Sequence, residues 1–155
     1  MSTLAIGQKV PDFAVEATGD QTVSLSGLAG SKVVIYFYPK DSTPGCTTEG
    51  QDFAASHAKF RRAGAQVFGV SRDSLKSHEN FRAKYEFPFH LISDRDETLC
   101  RLFDVIKEKN MYGRKVMGVE RSTFLIDEAG VLRQQWRGVK VKGHVEEVLA
   151  AVTAL

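Results

Sequence analysis

The sequence predicts an α/β fold built on a mixed, partly parallel sheet. Three observations point there. The run Val33-Val34-Ile35-Tyr36-Phe37-Tyr38 is apolar, β-branched or aromatic throughout, as a strand buried on both faces requires. Downstream, short strand-like runs alternate with segments of helical periodicity, which implies β-α-β units. A hairpin pattern followed by an amphipathic segment at the C-terminus adds antiparallel strands to the same sheet.

Residues 12–25 read as a hairpin: Phe13 and Val15 alternate with polar neighbours, Gly19-Asp20 turns the chain, and Val23 and Leu25 alternate on the return. After the central strand, Pro39 to Gly45 is a loop rich in proline and glycine. One helix is expected from about Cys46 to Ala63, carrying Phe53, Ala54, His57, Ala58 and Phe60 and ended by Gly64. Val67, Phe68 and Val70 mark the next strand. Ser74 caps a helix bearing Leu75, Phe81 and Tyr85, closed before Pro88, and Phe89 to Ser93 is a short strand. Asp94 with Glu97 resembles a capping box opening a helix through Leu99, Leu102 and Phe103. Asp104 to Gly118, mixed in charge, reads as irregular. Ser122–Ile126 and Val131–Trp136 form a hairpin around residues 127–130. Val145, Val148, Leu149 and Val152 fall at i, i+3, i+4, i+7 of a last helix. This order suits a thioredoxin-like architecture with an N-terminal β-hairpin extension.

Composition excludes several function classes. The chain has 155 residues, enough for one self-sufficient core, and no linker or repeat divides it, so residues 1–155 are expected to form one domain. The six-residue apolar run is far short of the ~20 residues that cross a bilayer, and no signal-peptide pattern precedes it, so a cytoplasmic protein without membrane association is expected. A net charge of +2 lacks the basic excess that announces nucleic acid. Arg133, Arg137, Lys140 and Lys142 form a locally basic stretch, read as a solvated face or a dock for an acidic partner. His57, His78, His90 and His144 show no metal-ligand spacing and read as surface or satisfied core groups. No glycine-rich phosphate loop is present. No cofactor or metal is expected.

The two cysteines are more informative. Cys46 and Cys100 are far apart and in no CxxC pattern, which excludes a disulfide scaffold. Cys46 sits where a buried strand passes through a Pro/Gly loop into a helix. Sites form at the carboxyl ends of strands in such sheets, and a helix N-terminus offers unpaired N–H groups and partial positive charge, both favourable to an anionic sulfur nucleophile. The competing reading of Cys46 is a buried structural residue. Cys100, beside Leu99, Leu102 and Phe103, reads as a small buried hydrophobe.

The loop Pro39-Lys40-Asp41-Ser42-Thr43-Pro44-Gly45-Cys46 has the pattern Pro-x-x-x-Thr-x-x-Cys. With Thr47 and Glu49 it resembles the peroxiredoxins, in particular their bacterioferritin comigratory protein (PrxQ) branch. Gly118-Val119-Glu120-Arg121-Ser122-Thr123-Phe124 resembles the segment carrying that family's active-site arginine. The resemblance, which covers nearly the whole chain, implies that Cys46 is the peroxidatic cysteine, with Thr43, Pro39 and Arg121 as catalytic partners. The residue types suit that chemistry: Arg121 offers a charged multi-donor fork, the Gly45 and Cys46 N–H groups act as further donors to substrate, and the Thr43 hydroxyl can orient peroxide and sulfur. Glu49 is expected to cap the helix or orient Arg121.

Branch members commonly carry a resolving cysteine five residues after the peroxidatic one, or about 36 residues after it. Gln51 and Arg82 stand at those positions here. Cys100 is the one other thiol and is not expected to take that role. The reading is a thiol-dependent peroxidase reducing hydrogen peroxide and organic hydroperoxides through a Cys46 sulfenic acid, recycled by thioredoxin or by glutaredoxin and glutathione. It is expected to be a monomer or weak dimer. The rivals are a thiol redox sensor and a thioredoxin-like disulfide reductase. The reductase lacks a second loop cysteine, since Thr43 stands in its place.

Overall fold

The strands of the computed structural model, which describes residues 4–155, are β1 (Ala14–Ala17), β2 (Gln21–Ser24), β3 (Lys32–Phe37), β4 (Ala65–Ser71), β5 (His90–Ser93), β6 (Ile106–Met111), β7 (Arg114–Val119), β8 (Ser122–Ile126) and β9 (Leu132–Arg137). The helices are α1 (Pro44–Ala55), α2 (His57–Arg62), α3 (Leu75–Tyr85), α4 (Thr98–Leu102) and α5 (His144–Thr153). Seven strands make one sheet in the order β2-β1-β5-β4-β3-β8-β9. The central trio β3, β4 and β5 is parallel, and each strand beyond it pairs antiparallel with its neighbour. This is the mixed, thioredoxin-like sheet the alternation of elements predicts.

Side chains on β3 alternate between two cores. Val33, Ile35 and Phe37 enter a cluster with Phe124 and the α4 side chains Leu99 and Cys100, with Phe103 just beyond. Val34, Tyr36 and the following Tyr38 enter the other, with Cys46, Phe53, Phe60, Phe81, Val145 and Val148 from the helices opposite. Phe53 and Phe60, both fully buried, each contribute about 1.5–3 kcal/mol by removal from water. The two cysteines therefore lie on opposite faces of the sheet.

Four details depart from the sequence reading. The long helix is two: Ser56 leaves helical geometry at φ −101° and ψ 4°, dividing α1 from α2. Serine competes with its own backbone for hydrogen bonds and is a weak helix-interior residue. The Asp94–Glu97 capping box does not form. Glu97 is itself the N-cap, left-handed at φ 63°, and its carboxylate pairs with Arg72 and Arg101. Asp94 instead reaches forward to accept from the Leu99 and Cys100 amides at 3.0 and 2.8 Å.

The stretch read as irregular holds a regular hairpin, β6 and β7, paired from Ile106↔Val119 to Met111↔Arg114. Its two-residue turn, Tyr112-Gly113, has φ of 52° and 79°, the positive-φ pair that matches strand twist. Most of its described side chains are exposed or half-buried, so no apolar/polar alternation marks it. Lastly, Arg137 is not wholly a solvated charge: its guanidinium donates to the Phe103 and Asp104 carbonyls and lies over the Phe124 ring. Arg133 pairs with Asp127, while Lys140 and Lys142 are both exposed.

Candidate active site

β3 delivers the chain from the centre of the sheet into residues 38–43, and α1 begins at once with Pro44 at its first position. A fixed φ and a missing N–H suit proline to that place. Thr43 is the N-cap by backbone, and the Thr47 amide donates to its carbonyl at 2.9 Å. Cys46 consequently lies in the first turn, where backbone N–H groups have no intrahelical acceptor. It is 2% exposed.

Arg121 arrives from the short connection between β7 and β8, far away in sequence. Its Nη2 donates to Cys46 Sγ at 3.3 Å and its Nη1 to Glu49 Oε1 at 2.6 Å. The Val139 amide holds the Arg121 carbonyl at 2.9 Å, tying that connection to the segment before α5. Gly45 leaves room for this approach: a Cβ there would stand 3.2 Å from Arg121 Nη2, a tight contact from which the guanidinium would have to shift slightly. Of the two contacts expected for Glu49, the structure has the one with Arg121, and the N-cap of α1 makes no side-chain hydrogen bond.

Glu49 is fully buried and its Oε2 has no hydrogen-bond partner among the described residues. Burial pushes its carboxyl up to about 7, against the pull of Arg121. Arg121 is held above its ordinary value: burial opposes its charge, but Glu49 and Cys46 outweigh that. His144, at the start of α5, is buried with Nε2 2.7 Å from Thr123 Oγ1, and burial, then Arg121, pushes it down to about 4. A neutral imidazole there adds no competing positive charge.

Thr43 and Pro39, the other expected partners, are half-buried in the loop, and the Thr43 hydroxyl donates to the Lys40 carbonyl at 2.8 Å rather than to the sulfur. A cleft of about 710 Å³ opens beside Pro44, Gly45 and Thr48, bounded across from α1 by Lys142 and Glu146. Gln51 is exposed, and Arg82 donates through Nε to the Phe89 carbonyl at 2.9 Å. Cys100 is fully buried, and burial, then the Asp94 carboxylate, pushes its thiol far up.

Sequence reasoning passed over one polar cluster. Among the described residues, Asp41, Asp73 and His78 bring ligand-type atoms within 4.8 Å of one another. Those atoms already serve internal hydrogen bonds, His78 through both ring nitrogens. A signal was present: His78 precedes Phe81 by three and Tyr85 by seven, on the buried stripe of its helix.

The model of the AhpC/TSA family matches residues 6–135. Peroxiredoxin Bcp of Xanthomonas campestris is 59% identical over 143 residues, covering 92% of this chain and 89% of that protein. PrxQ of Xylella fastidiosa, solved as a cysteine-to-serine variant, superposes with a TM-score of 0.93 at 46% identity, covering 99% and 98% of the two chains. The bacterioferritin comigratory protein of Xanthomonas campestris, solved in trapped intermediate/ligand complexes that bear on its alkyl peroxide reduction activity, superposes at 0.88 with 58% identity, covering 92% and 90%.

Proposed function

The chain belongs to the AhpC/TSA family, and we propose that Cys46 is the residue through which it attacks peroxides. It is a thiol-dependent peroxidase, an oxidoreductase acting on peroxides at the expense of a thiol. The observation that carries the assignment to Cys46 is the Arg121 fork, with one nitrogen on the sulfur and the other on a buried carboxylate.

In the first step the Cys46 thiolate attacks one peroxide oxygen. An S–O bond forms, the O–O bond breaks, and the departing hydroxide or alkoxide takes up a proton, leaving Cys46 as sulfenic acid. Negative charge moves from sulfur to the leaving oxygen, and Arg121 beside both compensates it. The N–H groups of the first α1 turn supply further donors, and the Thr43 hydroxyl retains lone pairs to accept from substrate. Hydrogen peroxide and small organic hydroperoxides fit this arrangement, the latter also by analogy with the Xanthomonas protein.

In the second step an external thiol attacks the sulfenic sulfur and releases water. A second thiol resolves the mixed disulfide, returning Cys46 and yielding the oxidised reductant. Thioredoxin and glutaredoxin with glutathione are the candidate donors. Gln51 and Arg82 at the usual resolving positions, and Cys100 on the far face of the sheet, favour this one-cysteine cycle. Residues 1–155 work as a single unit in this reading, both cores sharing β3. No described helix is long and apolar enough to cross a membrane, and a cytoplasmic setting would supply these reductants.

Stopped-flow mixing with peroxide tests the assignment. Cys46→Ser is expected to keep the fold, by circular dichroism, and lose peroxide consumption. Retention of a tenth of the wild-type rate would move the reaction to another residue.

A further inference from the structure

Asp41 stands five residues before Cys46, in the loop that carries it. Its carboxylate is buried and fully engaged. Tyr38 donates its hydroxyl to Oδ1 at 2.6 Å, while Ser77 Oγ and His78 Nδ1 lie 2.8 and 2.7 Å from Oδ2. The Asp41 amide donates to Asp73 Oδ2 at 2.9 Å. His78 is fully buried, and its Nε2 lies 2.8 Å from the Ile92 carbonyl on β5. A carbonyl only accepts, so Nε2 carries hydrogen, and Nδ1 is left for Asp41. The loop is thus fastened through α3 to the parallel centre of the sheet.

Residues 42 and 43, beyond Asp41, are fastened less. Ser42 takes a positive φ of 64°, and the Thr43 hydroxyl is bonded only within the loop, to Lys40. Asp41 is the last residue before α1 whose side chain is tied to the framework. Cys46, 2% exposed, offers no path to an attacking protein thiol unless this segment moves.

We propose that Asp41, gripped by His78, is a positioning residue for Cys46: intact, the contact holds the loop in its peroxide-reactive arrangement, and its release opens the sulfur to the reductant. The inference rests on the peroxidase reading of Cys46. It predicts that the two half-reactions respond in opposite directions when the grip is broken while Cys100 stays protected, whereas a general loss of packing exposes Cys46 and Cys100 together. Cys100, buried on the other face of the sheet, reports any global loosening.

The experiment uses Asp41→Ala, which removes the three side-chain contacts but keeps the backbone bond to Asp73, and Asp41→Asn, which retains an acceptor for Tyr38 and can face a neutral His78. Three rates are measured: Cys46 with hydrogen peroxide, peroxide-treated protein with dithiothreitol, and each thiol of the reduced protein with an aromatic disulfide reagent, the sites told apart by peptide mass. In Asp41→Ala the peroxide rate is expected to fall about tenfold while Cys46 labelling and dithiothreitol reduction rise about tenfold, the scale of a charge-assisted buried contact. Cys100 labelling should stay at the wild-type value. Asp41→Asn should stay within about threefold of wild type in all three, in keeping with one retained neutral contact. His78→Gln should reproduce the split, and added to Asp41→Ala it should change little more, as two halves of one contact must. Unchanged Cys46 labelling, Cys100 labelling rising in step with it, or an Asn variant as impaired as the Ala variant would each overturn the proposal. Failure of wild-type Cys46 to react with peroxide would remove the peroxidase reading instead, and the ratio of labelling at the two thiols would still decide whether Asp41 holds the loop.

Discussion

The guanidinium of Arg121 reaches the Cys46 sulfur at 3.3 Å from 75 residues away, and the same group grips Glu49 at 2.6 Å. A single planar fork thereby bridges the sulfur and a buried carboxylate. Lysine cannot reproduce it, because one ammonium on a flexible stem does not span both partners in a fixed plane. Arg121→Lys is therefore expected to lower the second-order rate constant for peroxide by about 10²–10³, the usual cost of losing a transition-state donor. Stopped-flow measurement at fixed pH checks it, and a fall under about threefold would leave the arginine no part in the chemistry.

Glu49 links folding stability to pH. Its folded carboxyl titrates at about 7, against 4.5 when unperturbed. Between those values the unfolded chain has released the proton that the folded chain keeps, so raising the pH costs folded-state stability, and the loss is complete above about 7. Glu49→Gln has no such proton. Urea unfolding of both proteins from about pH 4.5 to about 8 should show the wild type losing ground to the variant across that window, and parallel curves would refute the linkage.

Cys100 is expected to be dispensable for turnover. A direct bridge requires Cα atoms within about 7 Å, whereas the two cysteines belong to cores on opposite sides of the sheet. Its raised thiol is also a poor nucleophile. Cys100→Ser should retain steady-state activity with thioredoxin and with glutathione–glutaredoxin. Mass analysis without reductant should find sulfenic acid or a mixed disulfide on the oxidised wild type. An intramolecular Cys46–Cys100 disulfide formed fast enough for turnover would require a two-cysteine cycle.

Gly50→Ala reverses an ordinary rule. Alanine normally favours a helix over glycine by about 1 kcal/mol. Here a Cβ would stand 2.5 Å from Cζ of Phe87, whose ring is stacked on Phe89 and edge-on to Phe81. Overpacking of this kind costs about 1–3 kcal/mol, so the variant should be the less stable protein in urea. A rise in the unfolding midpoint would mean that the aromatic cluster can yield.

Much of this molecule is legible in one dimension. The unbroken run from Val33 to Tyr38, the Ser74 cap and the Val145–Val152 stripe identify their elements, because periodicity and capping act within a few residues. The loop-to-helix setting of Cys46 is local in the same way. The β6–β7 hairpin escaped because few of its side chains are buried, leaving the Tyr112-Gly113 turn as its one signal. Glu97 misled because its side chain found Arg72 and Arg101 rather than the backbone of its own helix.

By itself, then, the sequence determined the order and type of most elements and the position of Cys46 at a helix start. Only the tertiary structure decided what surrounds that thiol. The sheet order brings the β7–β8 connection over α1, so Arg121 meets Cys46 and Glu49. α1 and α4 pack on opposite faces of the sheet and take Cys46 and Cys100 to opposite cores, and α3 carries His78 onto Asp41. Each is a contact between segments far apart in the chain, set by strand register and crossover geometry rather than by the propensities of neighbouring residues.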